Sequence, residues 1–137
     1  MTRFPLALAV ASASMLALSA CQSDKRPATP GGSGKSASLR VMEQVAIAAH
    51  KCWFASKDPA FSKYSMANEL NNFAGTPRFL VVPKNNYGGK PLLVVQAQGQ
   101  SSHVEVFGPM MEGPAGSRIS SDINRWKAGD GSCGSAA

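Results

Sequence analysis

The chain has 137 residues, 44% of them apolar and 16% charged, with a formal net charge of +6 at pH 7. That length admits one modest domain and excludes a large multidomain enzyme, and the ordinary apolar share excludes wholesale disorder. The charged share falls below the usual quarter, in part because the first twenty residues hold a single charged side chain, Arg3.

Met1, Thr2 and Arg3 form a short positive start, and Phe4 to Ala20 follow as an apolar run without a charge. This is the layout of a secretory signal. The run ends Leu18-Ser19-Ala20-Cys21, which resembles the lipobox of bacterial lipoprotein precursors. The resemblance implies cleavage after Ala20, a diacylglyceryl group on the Cys21 thiol and acylation of the new amino terminus with palmitate-like chains. Each buried methylene contributes about 0.8 kcal/mol, so two or three such chains anchor a protein durably. In the Gram-negative sorting pattern, Gln22 instead of Asp after the cysteine implies the outer membrane. The expected location is therefore the bacterial cell envelope, with the mature chain lipid-anchored on the periplasmic or the outer face. The alternatives are a retained membrane span, for which the run is at the short edge of the roughly 17 to 25 residues required, and an ordinary signal with an incidental cysteine.

Residues 22–37 hold no large apolar side chain and are rich in Pro, Gly and Ser. Such a segment cannot form a core and reaches roughly 20 to 25 Å as a flexible coil, so it reads as a tether. Gly34-Lys35-Ser36 imitates the end of a phosphate-binding loop, but Thr29 stands where the first glycine belongs. Without a preceding strand there is no backbone cradle for phosphate.

From Ser38 to Phe54, Val41, Val45, Ala48 and Cys52, flanked by Met42, Ala49 and Trp53, recur at helical spacing. This predicts an amphipathic helix with Ser38 as N-cap, Arg40, Glu43, Gln44 and Lys51 toward solvent, and His50 on the exposed side. Asp58-Pro59 suits the start of a new turn, and Ser65 to Asn71 read as a short second helix, with Phe61 and Tyr64 between them as packing residues. Phe79-Leu80-Val81-Val82 and Leu92-Leu93-Val94-Val95, joined by Lys84 to Gly89, predict a hairpin of central strands. Their two apolar faces require cover on both sides, or cover on one side and pairing on the other. His103 to Phe107 alternates and reads as a third, edge strand. Pro109 to Gly116 is a loop. Ile119, Ile123 and Trp126 mark a last helix ended by Gly129. The sum is an α+β domain over 38–137: an N-terminal helix, a short second helix, a three-stranded antiparallel meander and a C-terminal helix.

With Cys21 lipidated, Cys52 and Cys133 remain, and in an oxidising compartment they are expected to form a disulfide. A metal site from His50, Cys52, His103 and Cys133 is the rival reading, although the spacing matches no standard ligand set. No cofactor is expected beyond the covalent lipid.

Catalytic chemistry finds little support: there are two histidines, eight scattered carboxylates and no nucleophile elbow. His103 and Glu105 share a strand face, so a His/carboxylate pair is geometrically open, but a polar edge-strand face is the plainer account. Removing Arg3 with the leader leaves thirteen Lys and Arg against eight acids, a net charge of +5. This mildly basic balance lacks the aromatic-interleaved stripe of a nucleic-acid binder, so no nucleic acid is expected. The expected function is a non-catalytic envelope lipoprotein whose domain binds an envelope protein or an anionic cell-surface polymer. Inhibition of a secreted or host hydrolase is the alternative. Candidate binding residues are Asn85, Asn86 and Tyr87 in the hairpin loop, Met110 and Met111, and the basic Arg118, Arg125 and Lys127 of the last helix.

Overall fold

A computed structural model describes residues 34–134, so the signal segment, Cys21 and the tether up to residue 33 lie outside the described residues. The helix α1 spans Ala37–Ala49 and continues as a π-helical turn, His50–Ala55. Ser36 is the N-cap, its hydroxyl accepting from the Leu39 N–H at 3.1 Å. The tether therefore ends earlier than its composition suggests: Lys35 already pairs with Glu43, and Ala37 is helical. Ser38, expected as the cap, is instead buried within the first turn and donates to Gly99 O at 2.6 Å. The wide turn after Ala49, with Ser56 N–H reaching back to Lys51 O, brings both Cys52 and Trp53 inward.

Asp58 caps a single 3-10 turn, Pro59–Phe61, by accepting from the Ala60 N–H at 2.9 Å. The expected second helix over Ser65 to Asn71 does not form. Tyr64–Glu69 is a strand, β1, which makes the meander four-stranded. Met66, Ala67 and Glu69 carry fair helix propensity, but six residues in register with the next strand outweigh so weak a local preference. The other strands are β2 (Arg78–Pro83), β3 (Leu93–Ala97) and β4 (Val104–Phe107), all antiparallel in the order β1-β2-β3-β4. Thus β2 and β3 are central and β4 is an edge. A 3-10 turn at Pro109–Met111 leads into α2, Gly116–Lys127.

Both helices cover the same face of the sheet. Phe79, Val81, Leu93, Val95, Ala97 and Val104 meet Val41, Met42, Val45, Ile119, Ile123 and Trp126 in one core. Trp53 sits at its centre, stacked on Phe61 with centroids 4.5 Å apart and tilted against Trp126 at 5.0 Å. On the opposite face Ala67, Leu80, Val94 and Phe107 stand in register across all four strands, Phe107 being 47% exposed. The next row is polar: Arg78 pairs with Glu69 at 2.6 Å, and Gln96 donates to Glu105 at 2.9 Å. Among the described residues, then, the helices cover the central strands on one side.

Cys52 and Cys133 form a disulfide, with Cα atoms 5.2 Å apart and 81 positions between them in sequence. The metal alternative falls with it. Among the described residues no group of three His, Cys, Asp or Glu side chains could hold an ion.

Candidate functional site

The hairpin order gives the sheet two unlike ends. Ser38, at the start of α1, is tied to Gly99 in the β3–β4 turn, so the chain enters the domain at the end that also carries the β1–β2 turn. At the far end β1 and β3 begin, β2 and β4 finish, and the two 3-10 turns lie beside them.

A cleft of about 500 Å³ opens at this far end. Its lining includes Ala60, Tyr64, Leu92, Met110, Pro114 and Arg118. This volume and a mostly apolar wall are those of a pocket that accepts a small ligand or a few side chains. Two glycines shape it. Gly108 has φ of 131°, and a Cβ there would stand 2.5 Å from Leu92 O; a Cβ on Gly116 would stand 2.0 Å from Met111 O. The Met110 N–H also donates to Leu92 O at 3.0 Å, which fastens the cleft wall to the sheet.

Arg118 closes the cleft with its guanidinium engaged beneath. It hydrogen-bonds Asp58, lies 3.6 Å from Asp122 Oδ2, and its Cζ sits 6.0 Å from the Phe61 ring centroid. The hydrogen bond from Arg118 holds the Asp58 carboxyl below the usual carboxylate range, and the same contact raises the Arg118 pKa. A carboxyl whose folded pKa is lowered contributes stability above its unfolded pKa and loses it as pH falls through the folded value. The Asp58→Asn variant is therefore expected to be less stable than wild type near neutrality and to converge with it below about pH 4. Urea midpoints taken from pH 7 to pH 2 check this. A gap that stays constant with pH would refute it.

The structure brings Met110 and Arg118 into one cleft and separates the other candidates. Met111 packs against the core from beside the cleft. Asn85, Asn86 and Tyr87 form an exposed turn at the far end, outside the lining of this cleft. The basic last helix is not a basic patch. Arg125 pairs with Asp122 and donates to Ser132 O, so of the three cations only Lys127 stands free among the described residues. Arg118 and Arg125 are each engaged by a buried carboxylate, Asp58 and Asp122 respectively. The pairing of His103 with Glu105 is likewise absent: Glu105 is taken by Gln96, and His103 precedes β4. Tyr64 and Leu92 carry no sequence signal as site residues, whereas Pro114 lies in the Pro109 to Gly116 loop that the sequence pattern of Gly and Pro already marks.

Two further grooves of about 550 and 540 Å³ flank β1 on the side of α1 and share His50 and Met66. Among the described residues no helix is long and apolar enough to cross a membrane. No family model matches the chain, and neither a curated protein nor a solved structure matches it.

Proposed function

We propose that the protein is a lipid-anchored binding protein of the bacterial envelope, tethered by Cys21, whose domain captures another envelope protein. The observation that carries this reading is the position of the apolar cleft at the end of the sheet opposite the point where the chain enters. Because the described residues begin at the near end, the cleft stands clear of the point where a tether would join the domain. In the cleft Met110 supplies an adaptable apolar wall and Tyr64 a rigid one, the combination suited to receiving side chains of a partner. The acyl chains on Cys21 provide location and the domain provides recognition.

Photo-crosslinking in cells tests this, with a benzoylphenylalanine at Met110 of the full-length lipoprotein, a second at Lys127 as control, and a Cys21→Ala version beside them. One reproducible protein adduct at Met110, absent at Lys127 and reduced when the anchor is lost, is the expected result. Glycan or lipid adducts without protein would overturn the choice of partner in favour of a surface polymer. A hydrolase as the sole adduct would convert the reading to the inhibitor alternative.

A further inference from the structure

The open edge of β1 offers a second surface, and its backbone pattern says what fits there. Lys84 N–H donates to Lys63 O at 3.0 Å, so 63 and 84 are a hydrogen-bonded pair of the antiparallel ladder. Pairs alternate along such a ladder, and with the register of Tyr64 on Pro83 this assigns Ser65, Ala67 and Glu69 to bonding with β2. The N–H and C=O groups of Tyr64, Met66 and Asn68 then point away from the sheet, along an edge that no other described strand covers. Side chains of these same three residues line the two grooves beside the edge. Toward Leu70 the wall opposite them holds Ala46 and Ile47 of α1, Ile47 being 71% exposed, beside the Lys35–Glu43 pair; toward Tyr64 it holds Trp53, Phe54 and Phe61 with Lys57 and the Arg118-bound Asp58.

Charge distinguishes the two ends of this track. Lys57 and Lys84 line the groove at the Tyr64 end, and Lys63 stands directly across the ladder from Lys84. None of the three makes an ion pair among the described residues. Like charges directly opposite one another repel, and a carboxylate laid between them would relieve that repulsion.

We propose that the β1 edge receives an extended segment of a protein partner as a fifth strand, with apolar side chains at alternate positions over Ile47 and Leu70 and carboxylates among Lys57, Lys63 and Lys84. Backbone pairing supplies affinity and the grooves and lysines supply selectivity, the logic of strand addition. This rests on the reading of the domain as a protein-binding module. A second copy suits the site poorly. Antiparallel pairing of two β1 edges sets the lysines of one against the Leu70 end of the other, whose nearby carboxylates, Glu69 and Glu43, are already paired with Arg78 and Lys35. The chain's own residues 22–33 contain Pro27 and Pro30 and no large apolar side chain to fill the groove.

The test uses the full lipidated protein in detergent micelles and a fluorescein-labelled probe peptide, Leu-Thr-Val-Thr-Val-Glu-Glu, read by anisotropy. Saturable binding is expected. N-methylation of alternate amides of one parity should weaken it at least about tenfold and of the other parity by no more than about twofold, because only one set of N–H groups faces β1. The double variant Lys63→Glu/Lys84→Glu should weaken the probe on the order of tenfold and favour a probe ending Lys-Lys. Absence of saturable binding, equal sensitivity to both methylation patterns, or indifference to the charge reversal would each overturn the proposal. Self-association blocked by the probe would overturn it in favour of a second copy. A Met110 adduct in cells that persists while the probe fails sinks this inference alone; loss of the adduct as well sinks the broader reading.

Discussion

Replacing Asp122 with Ala is expected to destabilise the domain by about 3–5 kcal/mol, the range for removing one partner of a buried charge pair. Asp122 is 1% exposed, on the inward face of α2. Its Oδ2 accepts from Trp53 Nε1 at 2.8 Å and its Oδ1 from Arg125. Arg118 Nε, buried and without a hydrogen bond of its own, lies 3.6 Å from Oδ2. The alanine variant therefore leaves a buried indole N–H unmet and an arginine less than fully compensated, besides opening a cavity. Asp122→Asn keeps the shape and can still accept from Trp53, so it should cost less. Urea unfolding followed by tryptophan fluorescence measures both. Equal losses for Ala and Asn would show that the carboxylate charge carries the whole effect, and a loss below about 1 kcal/mol for Ala would refute the buried-network account.

Removing the disulfide is the second large expected effect. For a loop of 81 residues the chain-entropy model gives about 4.5 kcal/mol, and measured losses for small exported domains run about 2–5 kcal/mol. In a domain of this size each kcal/mol is worth about 4–8 °C, so Cys52→Ser/Cys133→Ser should melt roughly 10–40 °C lower. The folded state should change little, because the tail has other holds: Trp126 Nε1 donates to Ser132 O at 2.9 Å and Arg125 Nε to the same oxygen at 3.1 Å. Circular dichroism of the variant at low temperature should therefore match wild type. A variant that is disordered at 10 °C would show that the bond maintains the native packing itself.

These two effects meet at the same place. Trp53 and Cys52 are neighbours in the π-helical turn, one bonded to α2 through Asp122 and the other to the tail through sulfur. The turn is thereby pinned to α2 and to the segment after it, and Asp58 is joined to α2 through Arg118. This cross-bracing holds the Pro59–Phe61 turn, and with it one wall of the far-end cleft, against the rest of the domain. Arg118 thus lines the cleft and at the same time ties Asp58 to α2.

How much was readable beforehand depended on the range of the interaction involved. The helical stripe of α1, the stripe of Ile119, Ile123 and Trp126, the Asp58 cap and the β2 and β3 runs are periodic or local signals, and each appears where its spacing places it. The cysteine pairing followed from counting. Strand β1 was misread because Ser65 to Asn71 has no strong alternation of its own; cross-strand pairing, not propensity, makes it a strand. Asp122 gave a faint signal, a carboxylate lying within the apolar stripe of α2, but its partners Trp53 and Asp58-bound Arg118 are more than sixty positions apart or joined only by folding.

The sequence by itself determined what is written in short spacings: an apolar run from Phe4 to Ala20, a polar segment after it, two amphipathic helices, a β hairpin and a pair of cysteines within the domain. Tertiary structure alone decided which arginines are free and which are consumed, since a guanidinium is a surface charge or a core ion-pair member according to what folds against it. It also decided where the clefts open. A cleft is a gap between elements distant in the chain, here the start of β1, the start of β3 and the turn after β4, and no local pattern of residues encodes a distance between them.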